Sequence, residues 1–334
     1  MSSTTTTVGS GAFTYRAHTD WQQLPPGWSL VEMAALATDA AGNAYLFNRG
    51  EHPVIVLDRD GRFLRSWGEG QFVRPHGITI GPDDSVYLVD DSDHTVHKHT
   101  LDGRRLWTLG ASGRAAETGA TTVDYRTIRR SAGPFNFPCN LAVAPSGELY
   151  VADGYGNARV HRFAPDGRLL NSWGEPGAGA GQFHVPHGIA VDRNGTVYVA
   201  DRENSRVQLF TAAGEYLAEW RDLARPCEVF VDWQDRVFVA ELGYRAGMFP
   251  GNVAGPGQTT GGRMSVLNLA GELQARWGSG DNPCVAGDFY APHDVWVDPF
   301  GDLYVSEVTW SAGGSRGLVG PDCHTLQKFG LIPQ

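Results

Sequence analysis

Three histidines carry the first chemical signal in this chain. Each stands in a similar short phrase: Arg74-Pro75-His76-Gly77-Ile78, Val185-Pro186-His187-Gly188-Ile189 and Ala291-Pro292-His293-Asp294-Val295. Neutral imidazole is the commonest metal ligand among side chains, so three copies in one local context point to a shared site. Three imidazoles arriving at one level from three sides leave a fourth tetrahedral corner open. That is the arrangement of a catalytic Zn²⁺, which keeps a position for water or substrate. The competing reading is that Pro-His-Gly is merely this repeat's way of starting a strand. No structural requirement produces a histidine on every other unit, and this favours the metal.

The surrounding sequence explains how the histidines are brought together. After His187, the run Gly188 to Asp192 is followed by Asn194-Gly195 and then Thr196 to Asp201. Apolar and β-branched residues on either side of a dipeptide that accepts positive φ predict two strands joined by a tight turn. The unit recurs with its key position at Ala34, His76, Cys139, His187, Cys227 and His293. The spacing is close to about 40 residues wherever no loop is inserted, the length of a four-stranded propeller blade. Six such units predict an all-β, six-bladed β-propeller. The first strand of each blade lines the axis, so blades 2, 4 and 6 place their histidines a third of a turn apart. Blade 6 has no fourth strand after Leu326-Gln327-Lys328-Phe329, and Phe13 to Ala17 is free to supply it and close the ring. The expected organisation is therefore a disordered terminus over 1–11 and one propeller domain over 12–334.

Charged and phenolic residues are expected at the rim. Just after the end of the second strand the six blades carry Arg49, Asp91, Gly154, Arg202, Leu242 and Val308. Arg49 and Arg202 lie on opposite blades, and guanidinium groups facing a metal suit an anionic substrate, most naturally a carboxylate held bidentately. The alternative is that each arginine bridges to a neighbouring acid. Tyr155 follows in a Gly-Tyr-Gly turn; beside a cation and arginines its phenol is expected to acidify and to serve as a general base. Cys139 and Cys227 fall between the histidines and read as small space-fillers, too far apart to bridge. Cys284 and Cys323 lie in loops, where their pairing is open. Insertions over 111–134, 243–262 and 308–323 interrupt the blades, and the last two are expected to rise from one end as a lid.

The whole chain sets the outer limits. Its 334 residues carry a formal charge of −10. No basic run breaks the acidic background, so no nucleic-acid partner is expected. The start lacks a basic and apolar leader and no apolar run approaches membrane length, so a cytoplasmic protein with no membrane partner is expected.

At these residues the chain resembles the NHL-repeat propellers, and within them peptidyl-α-hydroxyglycine α-amidating lyase. The match is densest in Ala152-Asp153-Gly154-Tyr155-Gly156-Asn157, Gly181-Gln182-Phe183 with Val185-Pro186-His187, and Val199-Ala200-Asp201-Arg202-Glu203-Asn204. It extends to Phe47-Asn48-Arg49-Gly50 and Ala291-Pro292-His293-Asp294. The resemblance implies a catalytic Zn²⁺ on His76, His187 and His293, with Tyr155 as the base and Arg49 and Arg202 flanking the substrate. It also implies a structural Ca²⁺ on the axis, held by the carbonyls of Leu36 and Ile78 and the carboxylate of Asp294. The implied reaction cleaves the N–C(OH) bond of a small anionic hydroxylated amide or related carbinol, releasing glyoxylate or another carbonyl product. Gly156 stands where that family has a cysteine, so its disulfide beside the tyrosine is not implied here. Two other classes remain: a non-catalytic NHL propeller that binds a partner on one face, and a metal-dependent hydrolase or lactonase on the same scaffold.

Overall fold

A computed structural model describes residues 6–246 and 254–333. Six antiparallel sheets stand around an axis. The inner strands are Met33–Thr38, Pro75–Ile80, Pro138–Val143, Pro186–Val191, Pro226–Val231 and Pro292–Val297. Beyond each lies a second strand, such as Val197–Asp201 of blade 4, that is buried along its whole length. The outermost strands are half exposed, as in Leu169–Trp173 and Tyr216–Trp220. Apolar clusters occupy the seams between neighbouring blades: Ala35, Tyr45 and Trp67 pack on Ile78 and Leu88, and Tyr150 and Val160 pack on Ile189 and Phe210. Burial between sheets, with no single central core, is what leaves the axis available to polar groups.

The sixth blade is completed from the other end of the chain. Phe13–His18 pairs antiparallel with Leu326–Leu331, with Tyr15 opposite Leu331 and His18 opposite Lys328. Thr6–Ser10 then pairs with Phe13–His18 as a fifth strand. Residues 6–10 are thus ordered, where disorder over 1–11 was expected. The reason is that Phe13–His18 would otherwise present a bare edge, and Thr6–Ser10 covers it through a turn with positive φ at Gly9 and Gly11.

Two repeated devices fix where side chains point. At the end of the second strand an acidic residue or Asn accepts hydrogen bonds from the backbone just ahead of the inner strand. Asp90 binds the Val73 and Arg74 amides, Asp153 that of Asn136, Asp201 that of His184, Glu241 that of Ala224, and Glu307 those of Tyr290 and Ala291. These acids answer otherwise orphaned amides and are spent on the frame. The second device is a bulge: in all six inner strands the register slips next to the key position, as between Pro75 and Ile78 or Pro292 and Asp294. A bulge re-aims its residues, so two consecutive side chains can both face the channel.

Candidate metal centre and its rim

The three histidines meet. Their imidazole nitrogens lie within 4.8 Å of one another, and the side chains are buried. Ring centroids are 4.8 to 4.9 Å apart in each pair. Each Nδ1 faces the carbonyl of the matching position on the next blade: His76 to Cys139 at 2.7 Å, His187 to Cys227 at 2.8 Å and His293 to Ala34 at 2.7 Å. A carbonyl only accepts, so each Nδ1 carries the proton and each Nε2 keeps a lone pair turned inward. Burial, followed by the neighbouring imidazoles and then Arg49 and Arg74, holds His76 well below the ordinary histidine range. Burial does the same to His187 and His293, with Arg202 and Arg49 respectively as the next cause. The trio is neutral and ready to ligate.

Tyr155 completes the group. Its hydroxyl lies 3.2 Å from His76 Nε2 and 3.0 Å from His187 Nε2, and Arg202 Nη1 donates to it at 3.3 Å. The phenol has one proton to offer to converging imidazole lone pairs. Lone pairs in such excess over protons fit a cation at their centre, and three histidine nitrogens with an open side suit zinc among the common metals. The turn that presents the ring depends on close approach: a Cβ at Gly154 would collide with the Pro186 carbonyl of the next blade, and one at Gly156 with the Asn136 side chain. Phe137, Val185 and Arg225, each just ahead of an inner-strand proline, adopt positive φ. For Val185, a β-branched residue, that costs about 1–3 kcal/mol, and the strain sits directly beneath the tyrosine.

Acidification of Tyr155 by its arginines is not what the structure gives. Burial outweighs Arg202 and Arg74 and pushes the phenol up to about 12. Arg49 and Arg202 do reach the site from opposite blades, yet both bridge to acids as well. Arg49 Nη1 donates to Glu32 at 2.7 Å and its Nε to the Pro75 carbonyl at 2.8 Å. Arg202 Nε donates to Glu203 at 2.8 Å, and Arg225 shares that carboxylate at 2.8 Å. The bridging to neighbouring acids expected as the alternative is thus present for both arginines. Arg74, whose Nη1 pairs with buried Asp91, is a further cation that the rim pattern missed. Its signal was present in the sequence two positions before His76, hidden because it precedes the strand.

One residue further along the inner strands the channel changes character. Asn140, Glu228 and Asp294 line a cavity of about 130 Å³ together with Ile78. Asn140 Nδ2 donates to Glu228, and the Leu36 amide donates to Asp294 Oδ2 at 2.8 Å. Burial, then Asp294, pushes Glu228 well above the carboxylate range; burial pushes Asp294 up as well. Two carboxylates that hinder each other's ionisation fit a hard, oxygen-seeking cation such as Ca²⁺. Of the expected ligands, Asp294 and Ile78 face this cavity, while Leu36 meets Asp294 through its N–H. Glu228 and Asn140 were not anticipated.

The insertions cover the histidine end. Val123 and Tyr125 of 111–134 pack on the cluster of Cys139, Tyr155 and Val185. From 308–323, the Ser311 amide donates to Glu32 at 2.6 Å, and Val308 and Val319 pack with Cys227 and Leu242. Part of the 243–262 insertion, residues 247–253, lies outside the described residues; Tyr244 Oη is 2.8 Å from Ser205 Oγ. Cys284 and Cys323 are joined in a disulfide, while Cys139 and Cys227 are buried free thiols. Disulfides persist in oxidising compartments, which sits against the cytoplasmic expectation. Among the described residues no helix is long and apolar enough to cross a membrane.

Comparison with known proteins agrees with this frame. The NHL repeat profile matches residues 135–163 and 183–210, which include Tyr155 and His187. A peptidylglycine alpha-amidating monooxygenase of Rattus norvegicus is 31% identical over 247 residues, covering 63% of this chain and 24% of its own length. A peptidyl-alpha-hydroxyglycine alpha-amidating lyase of Drosophila melanogaster is 29% identical over 174 residues, covering 44% of this chain and 30% of its own length. The chain thus spans about a quarter to a third of these relatives. A gluconolactonase from Xanthomonas campestris superposes with a TM-score of 0.63 at 14% identity, covering 98% of this chain and 95% of that one, a likeness of fold. The chain is an NHL-repeat six-bladed β-propeller whose homologues include proteins named as peptidyl-α-hydroxyglycine α-amidating lyases.

Proposed function

We propose that the protein is a zinc-dependent lyase that cleaves the N–C(OH) bond of an α-hydroxylated amide bearing a carboxylate. The observation that carries this reading is the Tyr155 hydroxyl, held between two imidazole lone pairs with Arg202 as its donor. A divalent cation held by His76, His187 and His293 would supply positive charge to the carbinol oxygen and to the phenol, favouring the ionised form of each. Tyr155 Oη then accepts the hydroxyl proton, and Arg202 stabilises the phenolate with its charge. As the oxygen's electron pair closes the carbonyl, the C–N bond breaks. Tyr155 returns its proton to the departing amide nitrogen, so an amide and glyoxylate leave without consuming water. Arg49 and Arg202 flank the substrate from opposite sides, with Arg202, the donor to Tyr155, facing the carboxylate beside the carbinol. Burial of the histidines and of Tyr155 keeps bulk water from competing.

The test is metal analysis of the purified protein together with glyoxylate release from α-hydroxyhippurate. One zinc per chain with release is expected, and zinc bound without release would overturn the lyase. A second reading rests on Asn140, Glu228 and Asp294: an oxygen-ligated cation could polarise an ester carbonyl there. That reading predicts lactone hydrolysis that survives loss of the histidines.

A further inference from the structure

We infer that the cleft between blades 1 and 2 takes a second acid group of the substrate, so that Arg74 selects dianionic carbinolamides whose acyl part ends in a carboxylate. The inference rests on the lyase reading and names its substrate class. The cleft has a volume of about 290 Å³, and its walls include Arg49, Gly50, Phe72 and Arg74. Its lining also includes Pro75, the residue before His76 in the inner strand, and both Arg49 and Arg74 are close enough to act electrostatically on His76.

Arg49 and Arg74 both line this space. Arg49 uses Nε on the Pro75 carbonyl and Nη1 on Glu32, which fixes its plane; its buried Nη2 has no hydrogen-bond partner among the described residues. A buried donor left unmatched is costly, and an acceptor supplied by a ligand removes that cost. Arg74 is anchored by Asp91, its one side-chain hydrogen-bond partner among the described residues, and its side chain remains 35% exposed. Asp91 is itself fully buried and accepts from Ser92 Oγ at 2.7 Å, so the anchor is rigid. Arg202, across the ring at Tyr155, suffices for the carboxylate beside the carbinol, and Arg49 with Arg74 then suits a carboxylate farther along the acyl chain.

The experiment compares N-succinyl-α-hydroxyglycine with its terminal amide, N-succinamoyl-α-hydroxyglycine, which differs by one charge at nearly constant size. With the zinc-loaded protein, kcat/KM is expected to favour the acid by about 10- to 100-fold, the worth of a charged hydrogen bond. Arg74→Gln brings that ratio near one, and Arg74→Lys restores part of it. Calorimetric binding of the uncleavable N-succinylglycine and N-succinamoylglycine supplies a readout independent of turnover. Turnover of both substrates at equal kcat/KM overturns this inference and leaves the lyase standing. Charge-selective, Arg74-dependent binding with no turnover of either substrate overturns the lyase and leaves the cleft. Equal binding of the two uncleavable compounds overturns the cleft on its own.

Discussion

The two levels of the axial channel are one residue apart in sequence and opposite in chemistry. At the upper level three neutral imidazoles, each pinned through Nδ1 to a neighbouring blade, repeat with threefold regularity. At the lower level Asn140, Glu228 and Asp294 come from blades 3, 5 and 6, and two of them are carboxylates that burial pushes toward the protonated form. The upper level is pre-organised to ligate and costs little when empty, because neutral imidazole tolerates burial. The lower level is under electrostatic stress until a cation arrives. Reactivity is therefore expected from the first and stability from the second.

The sharpest way to break that division is His187→Ala. It should remove stoichiometric zinc and lower activity by at least about 10²–10³-fold, read by metal analysis and glyoxylate release. If activity survives while Asp294→Asn abolishes it, the assignment of the two levels is reversed. Tyr155→Phe comes next: kcat is expected to fall about 10²–10⁴-fold with zinc content retained, since the phenol is placed as a proton carrier and not as a ligand.

Glu228→Gln probes the lower level. Glu228 has its folded pKa raised, so its contribution to stability is present below the unfolded value near 4 and is lost as pH rises through the folded value. In chelator-treated protein the variant should gain on the wild type as pH climbs from about 4 to 8, reaching about 1–3 kcal/mol. Added calcium should narrow or reverse that gap, and a gap that ignores both pH and calcium would remove the lower cation site. The smallest effect is expected from Cys139→Ala. Its carbonyl, not its thiol, orients His76, so zinc content should hold while thermal stability drops by about 1 kcal/mol for a small void.

Much of this was legible in the sequence because a propeller repeats. The matching positions Ala34, Cys139 and Cys227 alternate with the histidines, and on a closed ring that alternation places all six at one height. The same periodicity led from Leu326–Leu331 to Phe13–His18 as its missing neighbour. What stayed hidden depends on local departures from regular strands. Strict alternation would turn Asp294 away if His293 faced the axis; the bulge lets both face it, and nothing in composition marks it. Glu228 and Asn140 were overlooked for that reason. Tyr155 lies beside His76 and His187, and the direction of its shift follows from burial, in a cluster that Val123 and Tyr125 join from an insertion that strand patterns do not describe. Arg74 was missed because the rim pattern followed second strands, whereas Arg74 enters from the segment ahead of a first strand.

The sixth sheet has a consequence for how the molecule comes to exist. Phe13–His18 pairs with Thr6–Ser10 on one side and with Leu326–Leu331 on the other, so its second neighbour is made only after the other five blades. During translation the growing arc exposes two sticky margins, and its histidine trio stays open until His293 has emerged and the Ala34 carbonyl has met it. Loss of a few residues from either margin should therefore act on the whole circle at once, turning a peripheral lesion into loss of the centre.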